Sequence, residues 1–113
     1  VSFDRESFMS LIEGDKELFS SLLSLFEDDW PKLIFKIRAG LKEKKAKPVE
    51  EAAHRLKGSL RNFYANEAAL LAQQIESAGK SNSLDHLDGV VEELNSRLAK
   101  IQSDLHQFLK EMS

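Results

Sequence analysis

The fold class predicted for this chain is all-α: an antiparallel four-helix bundle with a short N-terminal capping helix. Three observations predict it. Apolar residues recur at alternating spacings of three and four along most of the chain, the period of a helix with one buried face. Only five glycines and two prolines occur in 113 residues, few for an all-β protein. Finally, 42% hydrophobic and 31% charged residues make a globular balance, enough for one core and one domain spanning 1–113.

Asp4 is placed to cap a first short helix, with Phe3 and Phe8 at hydrophobic-staple spacing. Phe8, Leu11 and Ile12 give that helix an apolar face, and Gly14 suits its end. Asp15 can cap a long second helix. Its stripe is Phe19, Leu22, Phe26, Trp30, Leu33, Ile37 and Leu41, widened by Leu18, Leu25 and Ile34. Pro31 lacks a donor and crowds the preceding turn, so the chain is expected to kink over 27–31, or else to break and restart at Asp28 or Asp29. The unbroken stripe favours the kink.

Residues 42–47, KEKKAK, read either as a solvated helix end, where cations suit the dipole, or as a basic rim for an acidic partner. Pro48 fits the first turn of a third helix, with Glu50 and Glu51 suited to its positive end. Asn66 can cap a fourth helix with Ala68, Leu71, Ala72 and Ile75 inward and Gly79 at its end. Ser81, Asn82 and Ser83 form a polar loop. The last stripe runs through Leu84, Leu87, Val91, Leu94, Leu98, Ile101, Leu105, Phe108 and Met112. Taken alone it suits a coiled coil; four other apolar faces needing cover favour packing within one bundle.

Composition removes several function classes. The chain has no cysteine, which excludes disulfides, thiolate metal sites and cysteine nucleophiles. A net charge of −3 argues against general nucleic-acid binding. No apolar run approaches the ~20 residues of a membrane span, and no signal peptide is visible. Phosphate loops and nucleophile elbows are missing, so the chain is expected neither to bind ATP nor to phosphorylate itself. Glu51 and His54 match half of a di-iron Glu-x-x-His pair, but Ser83 and Ser103 stand where His86 and His106 would need the second glutamate. No metal or cofactor is therefore expected.

The chemistry converges on the third helix, EEAAHRLKGSLRNFYA over 50–65. Val49, Ala53, Leu56, Leu60 and Phe63 fall on one side of it at roughly 100° per residue. Glu50, His54, Lys57, Gly58 and Arg61 fall on the other. An imidazole turned outward offers a nucleophilic nitrogen near neutral pH, since its ordinary pKa is about 6.5. Lys57, one turn on, can place an ammonium near phosphoryl oxygens. Gly58 costs about 1 kcal/mol relative to alanine inside a helix, a cost consistent with clearance for something approaching the ring. Arg55, Arg61 and Asn62 flank the same surface as solvated side chains or as partner contacts.

The run His54, Leu56, Lys57, Gly58, Ser59, Phe63 and Ala65 resembles the signature of the histidine-containing phosphotransfer (HPt) domain. Leu60 stands where that family usually has a small residue, and Tyr64 where it has glycine. The resemblance implies a phosphorelay intermediate: His54 accepts a phosphoryl group from a receiver-domain aspartate and passes it to another. It gives Lys57 and Gly58 the roles already stated, and it places a docking face around His54 with Glu50, Arg55, Arg61 and Asn62. Implied partners are response-regulator receivers and a hybrid histidine kinase, with magnesium in the receiver rather than here. A monomeric cytoplasmic domain without nucleic-acid binding or membrane insertion is expected. Two other readings stay open: a kinase-input domain phosphorylated in trans on His54, and a non-catalytic helical adaptor.

Overall fold

The computed structural model describes residues 2–112; Val1 and Ser113, the two ends of the expected 1–113 domain, lie outside the described residues. Among the described residues five helices follow in order: α1 (Arg5–Ile12), α2 (Lys16–Glu43), α3 (Ala46–Asn62), α4 (Asn66–Lys80) and α5 (Asp88–Glu111). No strand occurs among the described residues. The chain forms a helical bundle measuring 46 × 20 × 18 Å. The long helix α2 spans 28 residues, about 42 Å at 1.5 Å per residue, nearly the whole length of the particle. Neighbouring helices close a ring, with α2 against α3 and α5, and α4 against α3 and α5.

Local chemistry explains most boundaries. The Asp4 carboxylate accepts from the Ser7 amide at 3.1 Å, and Asp15 accepts from Leu18 at 3.0 Å, so both expected caps are present. Phe3 and Phe8 meet edge to face at 6.2 Å, the expected staple. Phe8 also packs on Phe19 and Phe63, and Phe108 on Phe3 and Phe19. This aromatic cluster ties α1 to the ends of α2, α3 and α5.

Several expectations are corrected. The helix α2 runs through Pro31 without interruption, which overturns the alternative of a fresh helix at Asp28 or Asp29. Leu18 and Leu25 are exposed rather than part of the core, because they lie past the edge of the stripe on the outer side of α2. Leu23 takes a core place instead. The helix α3 starts at Ala46, so Glu50 and Glu51 fall beyond its first turn. The cap of α4 is Ala65, with Asn66 its first residue. The helix α5 begins at Asp88, which leaves Leu84 in the preceding loop and Leu87 as the cap.

Glycine ends one of the two helices where it was expected: Gly14 follows α1 at φ 70° with its amide donating to the Met9 carbonyl, whereas Gly79 does not end α4. A left-handed residue after each of the first four helices lets its own amide and the next one reach back to the last turn. The residues in that conformation are Glu13, Lys44, Tyr64 and Asn82. Gly79 instead lies inside α4, where a β-carbon would stand 2.9 Å from the Glu50 backbone. Together with Ala52, Ala53, Ala68, Ala69 and Ala72, all buried, it lets α3 and α4 approach closely.

Candidate functional site

The site is built on the outer edge of the α3–α4 contact. Val49, Ala53, Leu56 and Leu60 are fully buried and Phe63 nearly so, as the helical period requires. That burial fixes the rotation of α3 and turns His54 outward, its side chain 66% exposed. Leu60, large where the resemblance expects a small residue, is absorbed completely into the core. Tyr64 adopts φ 58°, taking the left-handed place that glycine usually fills. The turn tolerates it because the Tyr64 amide donates to the Arg61 carbonyl at 3.0 Å and the Ala65 amide to the Leu60 carbonyl at 2.9 Å. The Asp4 amide also donates to the Tyr64 carbonyl at 3.0 Å, tying α1 to this turn.

A residue that the sequence reading missed lies at the centre. Glu76 of α4 is a buried acidic side chain, 4% exposed. Its Oε2 lies 2.8 Å from His54 Nδ1, and its Oε1 lies 2.5 Å from the Lys57 ammonium. The Lys80 ammonium stands 3.7 Å from Oε2. Burial is the largest single influence on Glu76 and pushes its carboxyl up. Hydrogen bonds from Lys57 and His54, with their charges, outweigh it and hold the group below its ordinary 4.5. Glu76 is therefore an anion, able only to accept. The proton of neutral His54 then belongs on Nδ1, and Nε2 keeps its lone pair facing solvent.

The sequence did carry a signal for Glu76. It stands four residues after Ala72 and one after Ile75, in register with the buried face of α4. A charge at a core position asks for a partner.

The other candidate residues divide into two groups. Glu50, His54 and Arg55 line one shallow recess together with Glu51, Glu76 and Lys80. Arg55 and Asn62 line a second groove, of about 350 Å³, between α2 and α3, whose walls include Leu22, Leu25 and Lys32. Arg55 is paired with Asp29 at 3.0 Å, and Arg61 donates to Gln73 at 3.3 Å. Lys57 reaches inward to Glu76 with only 15% of its side chain exposed, rather than lying free on the surface. Gly58 is exposed, and a β-carbon there would meet nothing within 4 Å. The chain's own packing thus does not demand glycine at this position. Among the described residues no group of three or more acidic or histidine side chains is arranged to hold a metal ion. No helix there is long and apolar enough to cross a membrane.

Comparison with known proteins covers nearly the whole fold. The family model described as Hpt domain matches residues 21–104. A solved structure of histidine-containing phosphotransfer protein B from Pseudomonas aeruginosa PAO1 superposes with a TM-score of 0.88 at 21% identity, over 97% of this chain and 96% of that one. The HPT domain of a sensor hybrid histidine kinase from Shewanella superposes with a TM-score of 0.80 at 23% identity, over 99% and 97%. Among curated proteins no match was found.

Proposed function

This chain belongs to the Hpt domain family, and from that premise we propose that His54 is the residue through which it performs histidine phosphotransfer in a two-component phosphorelay. One observation carries the assignment: the ring is exposed while its Nδ1 is held at 2.8 Å by a buried carboxylate, leaving Nε2 as the outward nucleophile.

The step balances without moving a proton. The Nε2 lone pair attacks the phosphorus of an aspartyl phosphate on a receiver domain. The P–O bond to the aspartate breaks, its electrons stay on the departing carboxylate, and a P–N bond forms. The ring of the resulting phosphoimidazole is cationic while its phosphoryl oxygens are anionic, and its Nδ1–H is still donated to Glu76. Reversal onto a second receiver aspartate completes the relay. Catalysis here is positioning and charge, the usual demand of phosphoryl transfer. Lys57 contributes a cation beside the ring, and Gly58 leaves open space for the incoming active site.

The docking face on this reading surrounds His54. Glu50, Arg55, Arg61 and Asn62 supply polar contacts, and the exposed Leu11, Leu18 and Leu25 supply apolar area. The partners are response-regulator receivers and a hybrid histidine kinase. Magnesium belongs to the acidic pocket of the receiver, and this chain has no resident cofactor. The reading also takes α2–α5 as an antiparallel four-helix bundle capped by α1, a single monomeric domain over 1–113, working in the cytoplasm. The test is to mix the chain with a phosphorylated receiver and follow acid-labile label. Wild type takes it up and His54→Gln does not; equal uptake by both would overturn the assignment.

A further inference from the structure

We propose that Lys80, on α4, is a second phosphoryl-binding cation of the site, an inference that rests on His54 being the carrier. Glu76 and His54 are used by the mechanism above; Lys80 is not, and its placement gives it a separate task.

The distribution of cations around the ring is uneven. Lys57 is committed to Glu76: its ammonium lies 2.5 Å from Oε1 and its side chain is mostly covered. It is not among the residues lining the recess beside His54. Lys80 is among them. Its ammonium sits 3.7 Å from Glu76 Oε2, the same oxygen that holds His54 Nδ1, and the side chain is 60% exposed. That separation is too long for a strong hydrogen bond. Lys80 can therefore swing toward a new anion while His54 and Lys57 continue to neutralise the buried carboxylate.

A phosphoryl group on Nε2 would need such a cation. It brings nearly two negative charges to a recess whose α3 wall already carries Glu50 and Glu51. The recess's remaining cation, Arg55, is drawn toward α2 by its pair with Asp29 at 3.0 Å. Because Gly79 packs against Glu50, Lys80 lies at the level of these two carboxylates, whereas Lys57 lies one turn to the other side of His54. The two lysines thus bracket the phosphorylated nitrogen, Lys57 through the buried carboxylate and Lys80 from the open side.

Phosphoramidate is a suitable small donor. Nε2 attacks its phosphorus, the P–N bond to the protonated amine breaks, and ammonia leaves as the new P–N bond forms. The full chain and its Lys80→Ala, Lys80→Arg and His54→Gln variants are labelled in this way and followed by ³¹P NMR as pH is varied. Lys80→Ala is expected to slow labelling roughly fivefold, by loss of one charge-assisted contact. It should also raise the phosphoryl titration midpoint by roughly half a pH unit, because an adjacent ammonium favours the dianion. Lys80→Arg should restore both, which a merely structural role would not produce. Label on His54 with an unchanged midpoint and rate in Lys80→Ala overturns the role of Lys80 alone. Failure of wild type to take label on His54, or equal labelling of His54→Gln, overturns the carrier assignment and this inference with it.

Discussion

Two histidines in this chain each meet a glutamate from a neighbouring helix, and the two pairs differ in every respect that matters for chemistry. At the α3–α4 contact, Glu76 is buried and takes Nδ1 of His54, so the outer nitrogen is left free. Across α2 and α5, the half-buried Glu27 meets Nε2 of His106, occupying the outer nitrogen itself. His54 is followed at three and four residues by Lys57 and Gly58, His106 by Leu109 and Lys110. An imidazole beside a carboxylate is thus not in itself a nucleophilic site. What counts is which nitrogen the carboxylate holds, how deeply it is anchored, and whether the surface beyond the ring is clear.

The sharpest way to break this contrast is to exchange the two rings for amides. His54→Gln should reduce label uptake from a phosphorylated receiver to background. His106→Gln should change it less than about twofold, since surface substitutions usually move energies by no more than 0.5 kcal/mol. Loss of uptake in His106→Gln would show that the second pair takes part.

Next comes the anchor. Glu76→Gln is expected to lower the transfer rate by roughly tenfold, the scale seen when a carboxylate that orients a metal-bound histidine is removed. It should also cost about 3 kcal/mol in urea unfolding, because the poorly hydrated Lys57 ammonium loses its counter-charge. The folded-state pKa of Glu76 is lowered, so its stabilising contribution is complete above its ordinary 4.5 and is lost as pH falls through the lower folded value. Wild type should therefore lose stability on acidification in that window, and Glu76→Gln should lose less.

Two glycines sharpen the same comparison from the backbone side. Gly79→Ala would drive a β-carbon to 2.9 Å from Glu50, and the parting of α3 and α4 should cost about 2 kcal/mol. Gly58→Ala meets open space and should raise helix stability by up to about 1 kcal/mol while slowing transfer from a receiver. Opposite signs in the same denaturation assay would separate a glycine that the fold's packing requires from one that it does not. The smallest effect belongs to the pair of His106 and Glu27: Glu27→Gln should shift stability by less than about 1 kcal/mol.

Much of this was legible in advance because it depends on neighbours close in sequence. Asp4 and Asp15 cap helices through amides three residues away, and the burial of Val49, Ala53, Leu56 and Leu60 turns His54 to solvent. Gly14 follows α1 as expected, left-handed at φ 70°, but Gly79 misled because a helix end was assigned to the nearest glycine. After α4 the left-handed position went to Asn82, and after α1 Glu13 takes it beside Gly14; at both, reaching back to the last carbonyls outweighs the ordinary preference.

By itself the sequence determined the helical periods, the face on which His54 stands and the lysine and glycine beside it, since a rotation of about 100° per residue makes these local properties. Only the tertiary structure decided where the Lys57 ammonium points, which nitrogen of His54 is held, and that Glu76, 22 residues away, lies between them. The reason is distance. Contacts between helices depend on how closely and in what register two rods pack, and here that is decided where Gly79 of one helix lies against Glu50 of another.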